Sequence, residues 1–101
     1  MMKTMMIRYK VKPALAAENQ RLIEKVFAEL ERSKPQGLRY QSFRLDDGVS
    51  FVHVATREGG PDDSPLLKLE SFKAFVADIR NRCDEPPAQM DVKSLGRYDV
   101  L

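Results

Sequence analysis

A chain of 101 residues has room for one domain of ordinary size and a modest core, so pairing with a copy of itself is a natural way to bury more surface. Hydrophobic residues make up 43% and charged residues 32%, which excludes a disordered or collagen-like chain. Seventeen Lys and Arg against fifteen Asp and Glu leave a formal charge of +2, and the densest basic stretch, Arg8-Tyr9-Lys10-Val11-Lys12, alternates with apolar residues, unlike the clustered basic face of a nucleic-acid-binding protein.

The first strand is expected from Met5 to Lys12. Met5, Ile7, Tyr9 and Val11 fall on one face, and Arg8, Lys10 and Lys12 on the other. Those cations also interrupt the apolar run of Met1 to Ile7 where a signal peptide would continue. No segment approaches the ~18 apolar residues of a membrane span. A single cysteine, Cys83, excludes an intrachain disulfide and any multi-cysteine metal site. A cytoplasmic protein with no membrane partner is the expectation.

Pro13 ends the strand, and helical spacing follows with Leu22, Ile23, Val26, Phe27 and Leu30 on one stripe. Lys34-Pro35-Gln36-Gly37 closes that helix. A second strand is expected from Leu38 to Leu45 and a third from Val49 to Thr56, joined at Asp46-Asp47-Gly48, whose Asp-Gly step is a strong hairpin signal. Gly59 to Pro65 reads as a loop, with Ser64 before Pro65 placed to cap a helical turn. Phe72, Phe75, Val76, Ile79 and Cys83 share a face of a second helix, which Asp84-Glu85-Pro86-Pro87 ends. Gln89 to Leu101 is the last extended segment, bent at Gly96.

The order β-α-β-β-α-β predicts one α+β domain over 1–101, a ferredoxin-like four-stranded antiparallel sheet with two helices on one face. The other face is then bare and too apolar for water, so a homodimer through that face is expected.

The element order, together with Ile7-Arg8-Tyr9-Lys10-Val11-Lys12-Pro13, Ser71-Phe72-Lys73-Ala74-Phe75, Pro86-Pro87 and Leu95-Gly96-Arg97-Tyr98, resembles the dimeric α/β-barrel superfamily of antibiotic-biosynthesis monooxygenase-like proteins. The resemblance implies two sheets packed face to face, a last strand reaching the partner, and a cavity between sheet and helices. It also implies a cofactor-independent protein that acts on or binds a small aromatic or polyketide-like molecule. The Asn and Trp on which its quinone-forming and heme-degrading members rely are not matched. There is no tryptophan, Asn19 and Asn81 fall on predicted helices, and Thr56-Arg57-Glu58 stands where many members carry Trp-Glu.

His53 is the only histidine. A two-residue turn at Asp47-Gly48 pairs Leu45 with Ser50, Phe43 with Val52 and Ser42 with His53. Phe43, Leu45, Val52 and Val54 then share a face suited to packing under helices. Tyr40, Ser42, Arg44 and His53, beside Phe51, share the other. An imidazole near a hydroxyl, a phenol and a guanidinium can act as a general base or polarise a carbonyl, so His53 is the candidate catalytic residue. Tyr40, Ser42, Arg44 and Phe51 are the candidate ligand contacts. The competing reading is that His53 satisfies a hydrogen bond inside the dimer.

Tyr9 and Tyr98 read as packed phenols, Arg8 and Arg97 as solvated or ion-paired, and Cys83 as a small hydrophobe. No phosphate loop or metal-ligand spacing exists, so no cofactor and no metal are expected. An enzyme and a non-catalytic ligand-binding or structural dimer remain the two classes. A ligand-sensing domain of a transcription regulator would need a DNA-binding domain that this sequence does not contain.

Overall fold

The computed structural model describes residues 2–60 and 64–101. The chain runs β1 (Met2–Val11), a 3-10 turn (Pro13–Leu15), α1 (Ala16–Ser33), β2 (Leu38–Arg44), β3 (Ser50–Glu58), a second 3-10 turn (Pro65–Lys68), α2 (Glu70–Ala77), α3 (Ile79–Arg82) and β4 (Cys83–Val92). The four strands form one antiparallel sheet in the order β2-β3-β1-β4, the arrangement expected of βαββαβ with both helices over one face.

Alternation on β1 decides which face the helices cover. Its odd-numbered side chains are apolar, and Tyr9 and Val11 are almost fully buried under α1 and α2 with Val26, Phe51, Leu66 and Phe75. Val26 and Ile23 present the buried stripe of α1. Glu29 of α1 anchors the start of α2, accepting from the Ser71 amide at 3.0 Å and the Ser71 hydroxyl at 2.5 Å. α1 ends on Lys34, whose left-handed backbone (φ 46°) lets its amide bond back to Leu30 at 2.8 Å.

The β2–β3 register is the expected one, with Ser42 opposite His53 and Phe43 opposite Val52. The reversal itself differs in detail. The Gly48 amide bonds to the Leu45 carbonyl at 2.9 Å, which puts Asp46 and Asp47 at the corners and Gly48 after them at φ 76°. Asp47 locks the turn by accepting from the amides of Val49 and Ser50 at 2.9 and 2.8 Å and from the Ser50 hydroxyl at 2.6 Å. These bonds hold its carboxyl at about 2, below the ordinary range.

The two faces of the hairpin are the reverse of expectation. β3 takes its facing from β1, where Ile7 lies opposite His53 and Tyr9 opposite Phe51, so His53, Phe51, Tyr40 and Ser42 turn toward the helices. Phe43, Val52 and Val54 turn to the bare face, joining Met6, Ala88, Met90 and Val92 by register. Leu45 belongs to the turn.

The C-terminal third departs further. The second helix breaks at Asp78 and ends at Arg82, and Cys83 opens β4 opposite Val11. Asp84-Glu85-Pro86-Pro87 is therefore strand, not a helix stop. Prolines are tolerated because β4 is an edge strand and its pairing with β1 slips between Arg8 and Lys10, where they sit. The last extended segment ends at Val92, opposite Thr4, although β1 itself begins at Met2; residues 93–101 are exposed and irregular, and Gly96 bends no strand. Ser64 caps as expected, accepting from the Leu66 amide at 3.3 Å. The loop expected from Gly59 to Pro65 includes 61–63, outside the described residues.

Candidate functional site

A cavity of about 190 Å³ lies between the sheet and α2. Its floor is strand, with Met5, Ile7, Tyr40 and Ala55 among the residues, and its roof is Phe72, Phe75, Val76 and Ile79. A second hollow of about 310 Å³ shares Met5, Ile7, Ala55, Leu66, Phe72 and Val76 with it, so the two form one cleft that opens toward Arg57, Ser64 and Gln89. The walls are apolar except at that mouth and at the inner end, where Tyr9, Tyr40 and His53 meet.

These three belong to a buried hydrogen-bonded chain. The Arg82 Nε–H donates to Asn19 Oδ1 at 3.1 Å, and Asn19 Nδ2–H donates to the Tyr9 hydroxyl at 3.0 Å. Tyr9 Oη lies 2.7 Å from His53 Nε2, while His53 Nδ1 lies 2.5 Å from Ser42 Oγ and 3.0 Å from Tyr40 Oη. Tyr9 already accepts from Asn19, and among the described residues its own proton has no acceptor except Nε2. Satisfying every group therefore assigns the imidazole proton to Nδ1, directed at the Ser42 and Tyr40 hydroxyls. The donors all run one way, from the guanidinium toward β2.

Burial sets the protonation states. His53 is 3% exposed, and desolvation lowers its pKa to about 4, so it is neutral at pH 7. Burial raises the Tyr40 phenol to about 12, with Ser42 opposing, and pushes Tyr9 higher still against the Asn19 hydrogen bond. Arg82 is 4% exposed and makes no ion pair among the described residues. Its second bond, from Nη2 to the Phe75 carbonyl, and its place over the Phe75 ring at 5.5 Å supply the compensation.

Of the expected ligand contacts, Tyr40 lines the cleft beside His53. Ser42 stands behind His53, bonded to Nδ1. Arg44 and Phe51 do not join the cleft: Phe51 is core, stacked on Tyr9 at 5.6 Å, and both line a shallow depression by α1. Arg44 is tied to Gln20 Oε1 at 2.7 Å and the Gly48 carbonyl at 2.9 Å. Sequence reasoning missed Tyr9, Asn19 and Arg82 as members of the polar chain. The apolar face of β1 was the signal for Tyr9; none marked the other two. The Cys83 thiol is raised by burial, as suits a packed residue, and Tyr98 is exposed. Among the described residues no cluster of His, Cys, Asp and Glu could hold a metal, and no helix is long and apolar enough to cross a membrane.

No family model and no curated protein matches this chain. Solved structures do. A candidate antibiotic biosynthesis monooxygenase from Bacteroides thetaiotaomicron superposes with a TM-score of 0.79 at 10% identity, over 99% of this chain and 95% of that one. An antibiotic biosynthesis monooxygenase superposes with a TM-score of 0.67 at 20% identity, over 95% and 100%. A cofactor-independent oxygenase from Streptomyces nogalater gives 0.64 at 19%, over 95% and 98%. With its βαββαβ sheet and its cavity under α2, this chain has the ferredoxin-like fold of the antibiotic biosynthesis monooxygenase-like proteins.

Proposed function

We propose that this protein takes a small aromatic or polyketide-like molecule into the cleft under α2, as a cofactor-independent, monooxygenase-like protein. The observation that carries this reading is the shape of the site: an apolar slot between sheet and aromatic roof, with a polar inner end where Tyr9, Tyr40 and His53 converge. A flat hydrophobic body fits such a slot, and one hydroxyl or carbonyl meets the phenols.

In the catalytic form of this reading the substrate supplies the electrons. An anthrone methylene loses two hydrogens, one oxygen atom of O₂ becomes the new carbonyl, and the other leaves as water. Tyr40 presents its hydroxyl to the ligand oxygen, held in place by the His53 Nδ1–H that donates to it. A second reading, a non-catalytic ligand-binding dimer, is favoured by the engagement of both imidazole nitrogens and by a His53 pKa near 4, which makes it a weak base.

Titration with a fluorescent dihydroxyanthrone, followed by oxygen uptake, tests both. Binding that Ala55→Phe abolishes supports the cleft; binding unaffected by that filling overturns it. One O₂ consumed per anthrone converted supports the oxygenase, and binding without uptake supports the second reading.

The partner is proposed to be a second copy, docked on the bare sheet face. Phe43, Met90 and Val92 are 46%, 41% and 37% exposed there, beside the half-buried Val52 and Val54. A patch of this kind is stabilised by burial against its own image.

A further inference from the structure

We propose that the ligand of the cleft carries a carboxylate that Arg57 receives at the mouth, while its ring body lies over Ala55 and its far end reaches Tyr40 and His53; this rests on the cleft being a ligand site. β3 places His53, Ala55 and Arg57 in a row on the covered face, and four residues of strand span about 13 Å. Between the two polar ends Ala55 offers only a methyl group, which keeps the floor open. A larger residue there would divide the cleft in two.

Arg57 is 7% exposed and lines the outer hollow. Its Nε–H donates to the Gly60 carbonyl at 3.2 Å, and it makes no ion pair among the described residues. Asp91, opposite Met5 on the same face, is held by Lys3 at 3.2 Å. A buried guanidinium with no counter-charge among the described residues is costly, and its two Nη groups form the fork that fits a carboxylate. Arg82 differs, because its Nη2 and Nε are both spent inside the protein. The two ends of the cleft thus ask for different groups, a neutral hydroxyl or carbonyl inside and an anion outside.

The test titrates the full chain with a fluorescent hydroxynaphthoate whose hydroxyl and carboxylate lie at opposite ends, and with its primary amide, which is neutral and of the same shape. Wild type is expected to bind the carboxylate about tenfold more tightly than the amide. Arg57→Gln should remove that preference with little change for the amide, and Arg57→Lys should keep part of it. Equal affinity of the two probes for wild type, or a preference that survives in Arg57→Gln, overturns the carboxylate assignment while leaving the cleft a binding site. Failure of both probes to bind wild type overturns the cleft reading and the assignment with it. The wild-type comparison decides even where Arg57→Gln does not fold.

Discussion

Tyr9 and His53 lie diagonally across β1 and β3, with rings parallel to within 6°, centroids 5.4 Å apart, and a hydrogen bond of 2.7 Å between Oη and Nε2. Neither is the other's direct partner: Phe51 lies opposite Tyr9, and Ile7 opposite His53. Diagonal neighbours on one face are within reach of aromatic side chains. The contact turns Nε2 toward β1 and leaves Nδ1 for Ser42 and Tyr40 of β2, so one imidazole ties three strands together.

Tyr9→Phe keeps the ring and removes the hydroxyl between Asn19 and His53. Two buried polar atoms lose their partner, at a cost of about 1–3 kcal/mol. Urea unfolding of the variant should show that loss. Tyr40→Phe should cost less, because Ser42 still bonds Nδ1 at 2.5 Å. Equal losses would contradict the assigned direction of the chain.

Acid should weaken the fold through His53. Its folded value of about 4 lies below the ordinary 6.5, so between those pH values the unfolded chain binds the additional proton. The stability present above pH 6.5 is therefore lost as pH falls through 4, by about 3 kcal/mol at roughly 1.36 kcal/mol per pH unit. The urea midpoint of wild type should fall more steeply over this window than that of His53→Gln, whose amide does not titrate. Parallel curves would show that the imidazole does not contribute.

Gly48→Ala should cost about 1 kcal/mol through the backbone alone. At φ 76° a Cβ would meet only Arg44 Nη2, at 3.8 Å, so no clash adds to the strain. Thermal unfolding measures this, and a neutral substitution would mean that the turn relaxes.

Sedimentation at micromolar concentration should show a dimer, and Phe43→Glu or Met90→Glu should shift it to monomer by burying a carboxylate against apolar neighbours. Charged residues in place of Val100 and Leu101, both exposed, should also weaken association if the C-terminal segment crosses to the partner. A wild-type monomer that unfolds cooperatively would refute the dimer.

Element order and hairpin register were legible in the sequence because both rest on local signals. Asp46-Asp47-Gly48 sets Ser42 against His53 from within a dozen residues. The facing of His53 was misjudged because it is imposed by β1, 44 residues from its Tyr9 contact. The clue was present in the odd-numbered apolar face of Met5 to Val11, but only the β1–β3 register extends it to His53. Asn19 and Arg82 carry no spacing signal, since their bond spans 63 residues. Cys83 continued a helical period by coincidence, and Pro86-Pro87 read as an end because the bulge that accommodates them lies in the pairing with β1.

Those two prolines also bear on what the sheet can recruit. A strand edge grows only while it offers alternating donors and acceptors, and Pro86 and Pro87 remove two donors in succession from β4. A stray extended chain laid along this edge would leave carbonyls unanswered just where the bulge already bends the strand. Runaway cross-β stacking needs two receptive edges for every molecule, and here only the β2 side is one. The irregularity that disguised the last strand thus guards the fold against aggregation.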